Sequence, residues 1–141
     1  MTQTMGAVYT KIKLTNAIDE ALISRGLLAP SLLRTCEVDA LVDTGSTYLV
    51  ISPEILQKLG LRIVGQQIAK YADGREDTVG VTEALFIECE GRRTTEDALV
   101  TGDMVLVGQV VLEKLDLLVD CKNQRLIPNP TNPNYPVTYI L

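Results

Sequence analysis

The chain contains no histidine, no tryptophan and a single phenylalanine among 141 residues. Without imidazole, Ser-His and Cys-His nucleophilic pairs are excluded, as is every zinc site that needs a histidine ligand. Any catalysis must use carboxylates, lysines, tyrosines or thiols. Cysteine is sparse as well: Cys36, Cys89 and Cys121 are odd in number, widely spaced and form no Cys-x-x-Cys. That pattern argues against a disulfide framework or structural zinc, and for the reduced thiols of a cytoplasmic protein. The 18 acidic side chains outnumber 13 basic ones, giving a net charge of −5. No basic stripe is available to neutralise phosphates, so nucleic acid is not an expected partner. No apolar run approaches the roughly 18 residues of a membrane span, so no membrane partner is expected either. The start, "MTQTMGAVYTKIKL", lacks the basic stretch and apolar segment of a signal peptide.

What is present suits one domain, since 46% apolar residues suffice for a core at this length. Alternation over residues 7–15 predicts a strand with one buried face. A helix over 17–25 follows, with Asn16 as cap, Asp19 in the first turn and Gly26 as stop. Residues 34–42 alternate again, and Tyr48 to Ile51 form a short β run. In "SPEILQKLG", Ser52 caps, Pro53 starts and Gly60 stops a second helix. Residues 62–71 and 76–88 flank Asp73-Gly74, a tight-hairpin signal. A second hairpin turns at Glu90-Gly91, with a returning strand over 93–101. Val105 to Val107 is apolar, "QVVLEKL" makes one or two helical turns, and "LDLLVD" reads as a last core strand turning at Lys122-Asn123. The tail 129–141 holds three of the six prolines and is not expected to form a helix. Many short strands and two or three short helices predict a mostly-β domain over 1–128 with a Pro/Asn-rich tail.

In "ALVDTGSTYLVIS", Asp43 stands at the inner end of a strand, followed by Thr44 and Gly45. A carboxylate there is costly to ionise unless it is hydrogen-bonded or shares a proton. By itself the tripeptide could be a turn, with Asp and Thr bonding their own backbone and Gly supplying positive φ.

With these features the chain resembles the retropepsin-like, retroviral-type aspartic proteases across residues 7–128. The resemblance is carried by the Asp-Thr-Gly-Ser loop with its following apolar strand, the helix "SPEILQKLGL", and the apolar-apolar-Gly of Val105 to Gly108. It implies a closed β-barrel half with short helices. Asp43 would be the catalytic carboxylate, Thr44 would bond the partner loop, and Gly45 would permit close backbone approach. Val107 and Gly108 would support the loop from below. The hairpin of Tyr71, Ala72, Asp73 and Gly74 would be the flap over a peptide or protein substrate. With one Asp-Thr-Gly per chain, a two-fold homodimer would complete the site. Water would attack directly between two carboxylates sharing a proton, with no cofactor, metal or covalent intermediate.

Some features depart from that pattern. Residues 17–33 read as an insertion, Val107 stands where Leu or Ile is commoner, and the tail has no clear match. The alternative is a catalytically weak module of the same fold that binds extended peptides or mediates dimerisation. Among the other acids, Asp39, Glu88 and Glu90 read as solvated, Asp103 as a turn residue, and Asp116 and Asp120 as flanks of the last strand. Cys36 reads as a strand-core thiol.

Overall fold

The computed structural model describes residues 7–141; residues 1–6, on which the reading of the N-terminus partly depends, lie outside it. The first strand, β1 (Val8–Asn16), alternates buried and exposed residues as its sequence predicts, then becomes buried at every position from Leu14 onward. Along its first part β1 pairs with β2 (Thr35–Val42), and from Lys13 it also pairs with β6 (Leu85–Cys89).

Between β1 and β2 lies the insertion, built as helix α1 (Ala17–Ser24) and a 3-10 turn at Pro30–Leu32. The Asn16 side chain caps α1 by accepting the N–H of Asp19. Asp19 is buried and accepts the backbone N–H, Nε and Nη2 of Arg34 at 3.1, 2.9 and 2.9 Å. The fork of hydrogen bonds from Arg34 holds the Asp19 carboxyl below its ordinary value. Asn16 also donates to the carbonyl of Leu59, joining the insertion to the end of helix α2 (Pro53–Leu59). In α2, Ser52 caps, Pro53 begins and Gly60 ends the helix at φ +60°, as its sequence predicts.

The remaining strands are β3 (Leu49–Ile51), β4 (Ile63–Lys70), β5 (Glu76–Thr82), β7 (Arg92–Glu96), β8 (Ala98–Val100) and β9 (Leu106–Val107). After helix α3 (Gln109–Leu115) come β10 (Leu117–Asp120) and β11 (Arg125–Pro128), a separate two-stranded sheet. Nine strands form one sheet in the order β4-β5-β8-β3-β9-β2-β1-β6-β7. The mostly-β architecture with short helices therefore stands, but the expected closed barrel does not. The sheet is open among the described residues, because the β4–β5 and β6–β7 hairpins extend from its two opposite ends and share no ladder.

Two predicted strands also divide. Residues 76–88 break at Glu83-Ala84, and 93–101 breaks at Asp97. Each run serves two ladders: β5 pairs with β4 and β8, whereas β6 pairs with β1 and β7. The chain must cross between the two ends of the sheet, and an unbroken strand could not do so. Leu14, Leu49, Ile51, Leu59, Ile87 and Leu115 meet in the core that these crossings enclose.

The C-terminal segment is tied to Asp116, which sits past α3 at φ +52°. Asp116 accepts the side-chain amides of Asn129 at 3.1 Å and Asn132 at 2.8 Å, and the N–H of Val137 at 3.1 Å. Those amides, Asn129 first, hold its carboxyl below the ordinary value. Arg92 adds bonds to the carbonyls of Leu115, Asp116 and Asn132.

Candidate active site

Asp43 leaves the end of β2 beside β9, the central parallel pair of the sheet, in the register Leu41 to Leu106 and Val42 to Val107. Its N–H donates to the carbonyl of Val107 at 2.9 Å, extending that ladder by one bond. The chain then turns, with the Ser46 N–H donating to the Asp43 carbonyl at 3.1 Å. Within the turn, the Gly45 N–H donates to Asp43 Oδ1 at 3.0 Å and the Ser46 hydroxyl donates to Oδ2 at 2.9 Å. An ionised carboxylate offers about four acceptor positions, so each oxygen keeps one free. A side chain on Gly45 would place its Cβ 3.2 Å from Asp43 Oδ1, which is why the smallest residue suits that position.

Support comes from below. The Gln109 N–H donates to the Ser46 carbonyl at 2.8 Å and the Val110 N–H to the Thr47 carbonyl at 2.9 Å. The first amides of α3 thus hold the turn that holds Asp43. This needs Gly108 to lie flat against the turn: a Cβ there would fall 2.7 Å from the Ser46 carbonyl oxygen. Val107 is fully buried beside it. The two short motifs of the sequence are therefore in direct contact.

In front of Asp43 opens a cleft of about 500 Å³. Asp43, Ser46 and Tyr48 line one side, and Lys70, Tyr71 and Ala72 line the other. The opposing wall is the β4–β5 hairpin, whose tip is closed by the Gly74 N–H donating to the Tyr71 carbonyl at 3.0 Å. Gly74 has φ +87°, the left-handed conformation the turn requires. At the tip, the Arg75 N–H and guanidinium bond Asp73 and lower its pKa, and the same guanidinium lies 4.3 Å from the Tyr71 ring centre. The Tyr71 hydroxyl shares a hydrogen bond with Thr101 at 2.8 Å, joining hairpin to cleft floor.

The sequence-derived residues thus fall into three groups. Asp43, Gly45, Tyr71 and Ala72 share the cleft. Asp73 and Gly74 stand at the hairpin tip, outside its lining. Thr44 is exposed and lines a separate recess of about 300 Å³ with Gln109, Leu112 and Glu113. Ser46 and Thr101 join the site beyond the residues that the sequence motifs point to. A hydroxyl three positions after Asp43 was a usable signal for Ser46. Thr101 had none, because its bond to Tyr71 spans 30 residues of chain.

Other chemistry-bearing groups are occupied elsewhere or exposed. Burial pushes the Cys89 thiol up to about 11, leaving it a poor nucleophile. Cys36 is half-buried, and Asp39, Glu90 and Asp103 are exposed. Among the described residues, no three histidine, cysteine or acidic side chains converge to hold a metal ion. No described helix is long and apolar enough to cross a membrane.

No curated protein matches the chain. A family model described as aspartyl protease matches residues 33–120, more than half of the chain, from just before β2 to the end of β10. It spans the Asp43 turn, the hairpin over the cleft and the Gly108 support. In keeping with the retropepsin-like resemblance of its motifs, the chain belongs to the aspartyl protease family.

Proposed function

We propose that the chain is an aspartic endopeptidase that works as a homodimer, with Asp43 of each copy contributing one carboxylate. The observation that carries this reading is the Asp43 carboxylate, fixed by Gly45 and Ser46 with one free acceptor position on each oxygen, at the floor of a hairpin-covered cleft. Amide hydrolysis needs a base for the attacking water and an acid for the departing nitrogen. Two carboxylates close together share one proton, so one member of the pair can do each task. The ionised member takes a proton from water as the water oxygen bonds to the peptide carbonyl carbon. The protonated member then gives its proton to the amide nitrogen as the C–N bond breaks, and the products are a carboxylic acid and an amine.

Thr44, exposed beside Asp43, is the residue suited to bond its counterpart across the two-fold axis. The peptide would lie extended between the Asp43 turn and the hairpin of Tyr71 and Ala72, with Asp73 and Gly74 forming a tip that opens and closes. The free cysteines suit a reducing compartment such as the cytoplasm.

The deciding experiment compares the parent chain with Asp43→Asn on a peptide library over a range of pH. Asn preserves shape but cannot act as base, and in a homodimer it replaces both carboxylates. The parent should cleave with a bell-shaped pH dependence on the acidic side of neutral, whose two limbs belong to the pair. Asp43→Asn should be folded and inactive. Equal cleavage by both proteins would remove Asp43 from the chemistry.

A further inference from the structure

Beyond Tyr48 the cleft continues into a smaller recess of about 100 Å³, lined by Tyr48, Gln67, Val81, Asp97 and Leu99. Three of these, Tyr48, Gln67 and Leu99, also line the main cleft, so the two spaces adjoin, while Asp43 belongs only to the larger one. The register of the sheet explains the arrangement. Strands β3 and β8 run parallel with Leu49 opposite Ala98, which sets the preceding residues, Tyr48 and Asp97, side by side where the two strands begin. Val81 pairs with Leu99 on the other edge of β8 and supplies the apolar wall.

Asp97 differs from the acids around it. Glu83 is paired with Arg62 and Glu96 with Lys114. Asp97 has no ion pair among the described residues. Lys114 is engaged by Glu96 and by the Thr95 carbonyl. The recess therefore combines apolar walls with one uncompensated carboxylate and the polar groups of Tyr48 and Gln67.

We infer that this recess is an outer subsite for a basic side chain, lysine or arginine, of the peptide held in the cleft. An extended peptide sends alternate side chains to the same face, so a residue away from the scissile bond reaches the recess while the bond itself lies at Asp43. The aliphatic stem of lysine or arginine packs along Val81 and Leu99, and its charged end meets Asp97. A glutamate in the same position would meet a like charge. This deepens the peptidase reading and depends on it for the placement of the peptide.

The test is binding of fluorescein-labelled peptides with an apolar centre to the Asp43→Asn protein, read by fluorescence anisotropy. Lysine, glutamine or glutamate is placed at each outer position in turn. At one position lysine should bind about fivefold more tightly than glutamine, the range of a partly exposed ion pair, and glutamate more weakly than either. Asp97→Asn should abolish the lysine preference, and Asp97→Lys should turn it toward glutamate. Equal binding of all three series, absence of any binding, or a lysine preference that survives Asp97→Asn overturns the inference. Cleavage of the same peptides by the parent chain separates the two proposals. Asp43-dependent cleavage without a lysine preference removes the subsite alone, whereas cleavage that persists in Asp43→Asn removes the peptidase reading.

Discussion

A Cβ built on Gly108 would stand 2.5 Å from the carbonyl oxygen of Tyr48, closer than such atoms approach in folded proteins. The obstacle is backbone on the turn that carries Asp43, so no side-chain rotation can relieve it. Gly108→Ala should therefore force α3 away from the turn and lengthen the bonds from Gln109 and Val110. A cost of about 1–3 kcal/mol is expected from overpacking, visible as a lower urea midpoint. Peptide cleavage should fall further than stability does, because the displaced element positions the carboxylate. A variant with unchanged stability and activity would show that this contact does not hold the site.

On the proposed shared site, activity should depend on protein concentration, because one chain carries one Asp43 in its Asp-Thr-Gly loop. Thr44→Val removes an exposed hydroxyl at nearly constant volume. Loss of the hydrogen bond proposed across the axis, worth about 1 kcal/mol, should move the monomer–dimer equilibrium toward monomer by severalfold. Sedimentation combined with activity over a dilution series measures both. Constant cleavage per chain down to the lowest concentration would contradict a shared pair of carboxylates.

The hairpin tip offers a kinetic test. Gly74 has φ +87° with open space around it, so Gly74→Val meets no clash but strains the backbone. A β-branched residue in that conformation costs on the order of 1–2 kcal/mol locally. Because the tip is exposed, global stability should change less than turnover does. Thermal melts and steady-state kinetics compare the two effects, and unchanged kinetics would take the hairpin out of the cycle.

Acid should weaken the insertion first at Asp19. Its carboxyl titrates lower in the fold than in the unfolded chain because Arg34 bonds the ionised form. A lowered folded value contributes stability above the unfolded value, near 3.8, and that contribution disappears as pH falls through the folded value. With Arg34 about half exposed, replacing the pair by Asp19→Asn should cost roughly 1–2 kcal/mol at neutral pH. The difference between parent and variant should shrink below about pH 4, approaching zero at the acid end. Urea titrations at several pH values test this; a difference independent of pH would mean that the carboxylate's charge is not what stabilises the insertion.

Much of the local structure was legible in the residues themselves. Ser52, Pro53 and Gly60 bound α2 because capping, fixed φ and left-handed φ are properties of single residues. The alternation of Val8 to Leu14 marks a one-faced strand, and Asp73-Gly74 marks a tight turn, for the same reason. The Asp-Thr-Gly could be picked out because its residue types are unusual where they stand, and the later Val-Gly only through its resemblance to the family's second signature. Alternation, however, states which way a side chain points and not which strand lies beside it. Only the tertiary fold decided that residues 76–88 divide between β5 and β6, and that 93–101 divides between β7 and β8, since each half answers to a different partner. The open sheet order was decided at the same level. So were the seating of Gly108 under Ser46 and Tyr48, the bond from Tyr71 to Thr101, and the placing of Asp97 beside Tyr48. Each of these joins segments far apart in the chain, where the geometry depends on how the strands pack and not on the preference of any one residue.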